Sequence, residues 1–330
     1  MVPVIDMQEI ICSLEKDEET WMKKKSLEDF GKKLLSALSS FGLVQLVSHG
    51  IPIASFKEGF DSSLQFFNLK NSIKNKYAID HQRFHGYIGS GNFFNVTANK
   101  VDYDCREAFN INALDDTLLP NKNDSPKFGQ SFIEMAGLFD KLVSRILMAL
   151  ALALGKDSDY LINMYKHQFT DKNFTTLKTL FYPAIPENEC SENTGVNIIR
   201  LGEHTDYGPM TLLYQDNTGG LEVKCPKTSK WVRITPNENA IILNMGDLFE
   251  IMTSGHIPSA LHQVSTSKES KDRQSIAFFV HFDHESIVMP IENLEAHPIN
   301  HGKVYLAVQS EEYVRRRLNN TIENTGFQHE

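Results

Sequence analysis

The chain is poor in cysteine. Only Cys12, Cys105, Cys190 and Cys225 occur in 330 residues, and no two of them form a Cys-x-x-Cys pair. That argues against a disulfide scaffold and against a thiolate metal site. Reduced thiols in a cytoplasmic protein are the simplest account. A basic surplus is also missing: 33 Lys and Arg stand against 42 Asp and Glu, for a net charge of -9. A nucleic-acid partner would ask for the opposite balance, so none is expected. The single basic run, Lys23-Lys24-Lys25, reads as the solvated face of a helix. No apolar run is long either. The longest, Ile146 to Leu154, has nine residues, whereas a bilayer needs roughly 20, so no membrane partner is expected. The opening MVPVIDMQEI lacks a basic stretch followed by an apolar one, and no secretory signal is expected. Repeats and low-complexity linkers are absent too. Residues 1–330 are therefore expected to form one unit.

What is present is ordinary for a globular chain, with 41% hydrophobic and 23% charged residues. Residues 1–170 read as mostly helical. Leu27, Phe30, Leu34 and Leu38 recur at helical spacing, with Gly42 as a stop. Leu43 to Val47 reads as a strand, 55–77 as a helix, 81–104 as a loop and 129–154 as a long buried helix ending at Gly155. From about residue 175 the period changes. LKTLFYP, NIIRL, MTLLYQ, LEVKC, WVRIT, AIILNM, ALHQV and SIAFFVHF are short β-rich runs separated by turn residues. Eight such runs in 171–290 predict a jelly-roll core, a double-stranded β-helix, with helices packed outside. In 291–330 we expect one helix, from Ser310 to Ile322, and a polar tail.

His204-Thr205-Asp206 follows NIIRL. In extended chain, residues i and i+2 point the same way, so both side chains can face one metal. His262 lies 56 positions after Asp206, in ALHQV. Two imidazoles and one carboxylate on one face leave three octahedral positions open, the facial triad of non-haem iron(II) oxygenases. By itself a His-x-Asp is common, and His281-Phe282-Asp283 is a second one. With no structured partner downstream, it reads as a strand-end histidine near the surface. The first pair gains weight from Arg273-Gln274-Ser275, 11 residues after His262. Arg273 and Ser275 alternate onto one face. A guanidinium fork plus a hydroxyl suits a carboxylate, such as the distal one of 2-oxoglutarate.

Longer stretches carry a family resemblance. VPVID (2–6), FGLVQLVSHGI (41–51), DCREAF (104–109), EHTDYGPMTLLYQDNTGGLEV (203–223) and GDLFEIMTSGHIPSALHQV (246–264) together resemble the isopenicillin N synthase-like branch of the iron/2-oxoglutarate oxygenases. That branch includes gibberellin, flavonoid and thymine oxygenases. The resemblance implies that His204, Asp206 and His262 bind Fe(II). It implies that Arg273 and Ser275 hold 2-oxoglutarate, with Tyr182 of LFYP as a further hydrogen-bonding partner. The implied activity is oxidation of a small molecule by dioxygen, most often hydroxylation, with release of succinate and carbon dioxide. Two positions depart from the pattern. Leu180 stands where Asn is frequent, and Gln263 stands where Arg is frequent.

Other readings stay open at this point. The same fold can house an iron oxidase that does not use 2-oxoglutarate, a binding protein without turnover, or a zinc hydrolase. His49 is expected to be structural, hydrogen-bonding the backbone. Phe278 and Phe279 are expected in the core or pocket lining. Tyr87, Phe93 and Phe94 are candidates for a substrate lid.

Overall fold

The structure is a computed structural model that describes residues 1–15, 20–80, 82–90, 106–185, 198–266, 271–291 and 303–323. Its strands are β1 (Val4–Asp6), β2 (Leu43–Val47), β3 (Gly86–Ile88), β4 (Glu107–Ile111), β5 (Thr176–Tyr182), β6 (Ile198–His204) and β7 (Met210–Gln215). They continue with β8 (Leu221–Lys224), β9 (Trp231–Arg233), β10 (Ala240–Met245), β11 (His262–Thr266), β12 (Arg273–Val280), β13 (Ile287–Val288) and β14 (Val308–Gln309). The helices are α1 (Gln8–Glu15), α2 (Thr20–Leu38), α3 (Ile53–Phe67), α4 (Asn71–Lys74), α5 (Phe128–Ala153), α6 (Asp247–Met252) and α7 (Ser310–Glu323).

Two sheets make the jelly-roll core. The larger runs β1-β2-β10-β7-β12-β5-β4-β3, and the smaller runs β6-β11-β8-β9. Every pairing within them is antiparallel except β1 with β2. The larger sheet is buried on both faces. Outward residues such as Leu212, Leu243, Ile276 and Phe278 join one core with the helices, and Phe278 stacks on Phe139 of α5 at 5.3 Å. Each such buried side chain stabilises by about 1.5–3 kcal/mol. This explains why the strands read as nearly continuous apolar runs. Inward residues meet the smaller sheet through Ile242, Leu221, Val223 and Val264.

Helix ends follow the expected chemistry. Gly155 takes φ +72°, which lets the Lys156 N–H reach back to the Ala151 carbonyl at 2.9 Å and close α5. The helix expected over 55–77 is instead interrupted at Asn68, which caps α3 before α4 begins. Two further expectations change. Residues 1–170, expected to be mostly helical with a strand at Leu43–Val47, supply four strands of the larger sheet within their first 111 residues. One of these, β3, lies inside the stretch expected to be loop. β1 and β3 have three residues each, too few to show a period in sequence. Tyr87 is not a lid residue: it is 6% exposed in β3, and its hydroxyl donates to Glu107. Phe93 and Phe94 lie outside the described residues. His49 behaves as expected, with Nδ1 accepting the Ile51 N–H at 3.1 Å, and burial pushes its pKa down to about 4.

Candidate metal centre and co-substrate cavity

His204 ends β6 and His262 begins β11, and the two are direct partners across the ladder. Their rings lie 4.2 Å apart, centre to centre. Each Nδ1 sits against a backbone carbonyl, His204 on Gly202 at 2.9 Å and His262 on Ala260 at 2.8 Å. A carbonyl can only accept, so each Nδ1 carries the proton and each Nε2 keeps its lone pair. Both Nε2 atoms face Asp206 Oδ1, at 4.0 Å each. The other carboxylate oxygen, Oδ2, accepts from Thr211 Oγ1 and from Asn244 Nδ2, both at 2.6 Å. The carboxylate is thus clamped on one side and presented on the other.

Electrostatics agree with this arrangement. Burial, aided by the neighbouring His262, pushes His204 down to about 3, so its ring is neutral and able to ligate. Burial works to raise the Asp206 pKa, but the two imidazoles and the bonds from Thr211 and Asn244 outweigh it, leaving the carboxyl below its usual range. The three donor atoms lie within 4.8 Å of one another, the one such cluster among the described residues. Two nitrogens and one oxygen, too far apart to bond each other, are a donor set that fits a divalent transition metal.

The same cavity, about 60 Å³, reaches Arg273, Ser275 and Tyr182. Strand alternation is the reason. Arg273, Ser275, Ala277 and Phe279 share the inner face of β12, as Thr211, Leu213 and Gln215 share that of β7. Arg273 is 3% exposed. Its Nε donates to the Gly219 carbonyl at 2.6 Å, one terminal nitrogen to Ser275 Oγ and the other to Gln215 Oε1, both at 3.1 Å. Its guanidinium lies 5.0 Å from the centre of the Tyr182 ring, its register partner on β5. A buried guanidinium held this way, among neutral partners, is a ready anion site. Leu180 faces the cavity opposite Ser275. Gln263 bonds Glu222 on the neighbouring strand at 2.8 Å.

Thr211, Asn244 and Gln215 escaped the sequence reading. Their signal was a polar residue on the inner parity of an otherwise apolar strand. The second His-x-Asp is also corrected. His281 is buried rather than near the surface, at 8% exposure. Asp283 turns away to accept the Lys166 and His167 backbone N–H groups, His167 Nδ1 and Asn173 Nδ2, all within 3.0 Å. A larger cavity of about 630 Å³ lies between α6, α7 and residues 303–309. It lacks the three donors, and two of its acids, Asp247 and Glu250, are already paired with Arg317 and Lys303.

Comparisons with known proteins agree with this geometry. The model of the 2OG-Fe(II) oxygenase superfamily matches residues 162–282, and that of the non-haem dioxygenase in morphine synthesis N-terminal family matches residues 2–130. The 2-oxoglutarate-dependent dioxygenase gloF of Glarea lozoyensis is 31% identical over 280 residues, covering 76% of this chain and 81% of gloF. Proline hydroxylase buaE of Petromyces alliaceus is 29% identical over 267 residues, covering 76% of this chain and 81% of buaE. The structure of thymine 7-hydroxylase from Neurospora crassa in complex with alpha-KG and thymine superposes with a TM-score of 0.79 at 25% identity, covering 97% of each chain. The chain belongs to the 2-oxoglutarate- and iron(II)-dependent oxygenase superfamily. Its activity class is that of a 2-oxoglutarate/Fe(II)-dependent dioxygenase, an oxidoreductase acting on small molecules. No helix among the described residues is long and apolar enough to cross a membrane.

Proposed function

We propose that the chain hydroxylates a small organic molecule, with His204, Asp206 and His262 as the iron ligands and Arg273, Ser275 and Tyr182 as the 2-oxoglutarate site. The observation that supports this most is one cavity shared by the three converging donor atoms and the buried Arg273 guanidinium. Bound Fe(II), with 2-oxoglutarate and dioxygen, would supply the oxidising power, 2-oxoglutarate being decarboxylated to succinate and carbon dioxide with one dioxygen atom entering succinate and the other the hydroxylated product. The chain's own residues do the rest. Gly202 and Ala260 fix the imidazole orientation, while Thr211 and Asn244 hold the carboxylate. Arg273 and Ser275 receive the distal carboxylate of the co-substrate, and the Tyr182 ring holds the guanidinium in place. Leu43, Leu201, Leu221, Val264 and Phe279 line the cavity and exclude bulk water. We place the enzyme in the cytoplasm, as one functional unit, on its scattered cysteines and lack of linkers.

The test is spectroscopic. The anaerobic protein with Fe(II) and 2-oxoglutarate is expected to show a weak visible charge-transfer band, and His204→Ala is expected to abolish it. A band that persists in the variant rules out the ligand assignment. Substrate-dependent succinate release distinguishes this reading from an oxidase that does not consume 2-oxoglutarate.

A further inference from the structure

The loop that carries Asp206 is held from outside its own strands. Residues 205–209, between β6 and β7, belong to neither. The start of α6 holds their carbonyls instead. The Asp247 N–H donates to Asp206 at 2.9 Å, the Gly246 N–H to Pro209 at 3.0 Å and the Leu248 N–H to Gly208 at 3.3 Å. The approach is so close that a Cβ on Gly246 would meet the Gly208 carbonyl oxygen at 2.3 Å. With only six residues, α6 is too short to be stable by itself. Whatever holds α6 in place therefore holds the metal loop as well.

The Asp247 side chain ties α6 to two further segments. Its Oδ1 accepts from Ser259 Oγ at 2.8 Å, and Ser259 adjoins Ala260, whose carbonyl orients His262. Its Oδ2 accepts from the Tyr313 hydroxyl at 2.9 Å and from Arg317, both on α7. The other terminal nitrogen of Arg317 donates to Thr205 Oγ1 at 3.3 Å. The Arg317 guanidinium also lies 4.5 Å from the centre of the Tyr207 ring. One side chain of α7 thus touches both neighbours of Asp206 in sequence, and the residue whose N–H holds the Asp206 carbonyl. The docking of α7 has other supports. Val314 is 2% exposed, Ser310 Oγ donates to the Phe282 carbonyl at 3.0 Å, and the Ser310 N–H donates to Ser286 at 2.9 Å. Arg315 of the same helix points elsewhere, to Glu311 at 2.8 Å and to the Phe174 ring.

We propose that Arg317 is a positioning residue for the iron centre. From α7 it braces the loop that carries His204 and Asp206. Through Asp247 and Ser259 it also braces the segment that leads into His262. A guanidinium can serve Asp247, Thr205 and the Tyr207 face at once, because it is a planar fork with a stacking surface; an ammonium is a single point of charge. Bracing sets the donor spacing during folding, so less order has to be gained when the metal binds. The proposal rests on the reading of His204, Asp206 and His262 as the ligands.

The metal-free full chain is titrated anaerobically with Fe(II) in a calorimeter. The temperature is one at which circular dichroism shows every variant folded, so a loss of stability alone leaves the affinity unchanged. Arg317→Met is expected to weaken Fe(II) binding about tenfold, the lower end of the effect of losing an outer-shell partner. Arg315→Met removes the same charge from the same helix and is expected to leave the affinity unchanged. Arg317→Lys is expected to stay below the unsubstituted protein. Thr205→Val is expected to weaken binding too, and the double variant with Arg317→Met is expected to be no weaker than Arg317→Met alone, since both remove one contact. Unchanged affinity in Arg317→Met, an equal loss in Arg315→Met, full rescue by Lys, or additive losses in the double variant overturns the proposal. Should Arg317→Met fail to fold, unchanged affinity in both Arg317→Lys and Thr205→Val overturns it. Absence of Fe(II) binding in the unsubstituted protein overturns the underlying metal reading instead.

Discussion

His204-x-Asp206 and His281-x-Asp283 share a spacing, and both put a little-exposed imidazole two residues before a buried carboxylate. Both carboxyl groups are held below their usual range. Their surroundings separate them. Asp206 keeps Oδ1 turned towards two imidazoles because Thr211 and Asn244 occupy Oδ2 only. Asp283 spends both oxygens on the 166–173 segment. His204 meets a second histidine directly across the ladder, whereas His281 has the Phe174 ring at 6.1 Å. A metal centre therefore needs a carboxylate with one oxygen left over and a third donor in register. The two-residue spacing alone supplies neither.

The comparison can be broken most decisively by exchanging damage between the two pairs. Asp206→Ala is expected to remove the charge-transfer band and all substrate-dependent succinate release. Asp283→Ala is expected to keep the band and cost about 1–3 kcal/mol of stability, since several donors lose a charged acceptor. Denaturant titration and the band together read this out, and the reverse pattern sinks the distinction. Arg273→Ala is expected to weaken 2-oxoglutarate binding by about 1.5–3 kcal/mol. Calorimetric titration of the co-substrate checks it, with unchanged affinity as the contrary result. Asn244→Ala tests the clamp on Asp206 and should lower Fe(II) affinity about 10- to 100-fold, as loss of an outer-shell partner does. Equal iron affinity in the variant would show that Thr211 suffices.

A further effect concerns a histidine away from either pair, and it is read only as a pH dependence. Burial lowers His49 from 6.5 to about 4. Between those values the unfolded chain binds the extra proton. The stability that His49 contributes is thus complete above pH about 6.5 and is lost as pH falls towards 4, by at most about 1.4 kcal/mol per pH unit. His49→Gln is expected to flatten the pH dependence of the denaturation midpoint in that window. An unaltered slope would assign the effect elsewhere.

Much of the fold was legible because burial imposes a period. The runs MTLLYQ and AIILNM are strands β7 and β10, and the spacing of Leu27, Phe30, Leu34 and Leu38 is that of α2. The β1 and β3 strands were harder to read, since three residues carry no periodicity and their pairing comes from long-range neighbours. The site divides the same way. Alternation already placed Arg273 with Ser275, and His204 with Asp206. Local pattern marked Thr211, Asn244 and Gln215 only as polar residues at the inner parity of apolar strands; that they would hold Asp206 and Arg273 follows from how separate elements meet.

The sequence by itself determined residue types, face and spacing: an imidazole–carboxylate pair, a later histidine, and an arginine two positions before a serine. Those depend on local periodicity, which a strand enforces through its own backbone. Only the tertiary structure decided that His262 stands opposite His204, that Asp206 keeps one oxygen open and that His281 is buried next to Gly208. Such facts depend on sheet register and on which polar atoms find partners, and both are set by chain segments far apart in sequence.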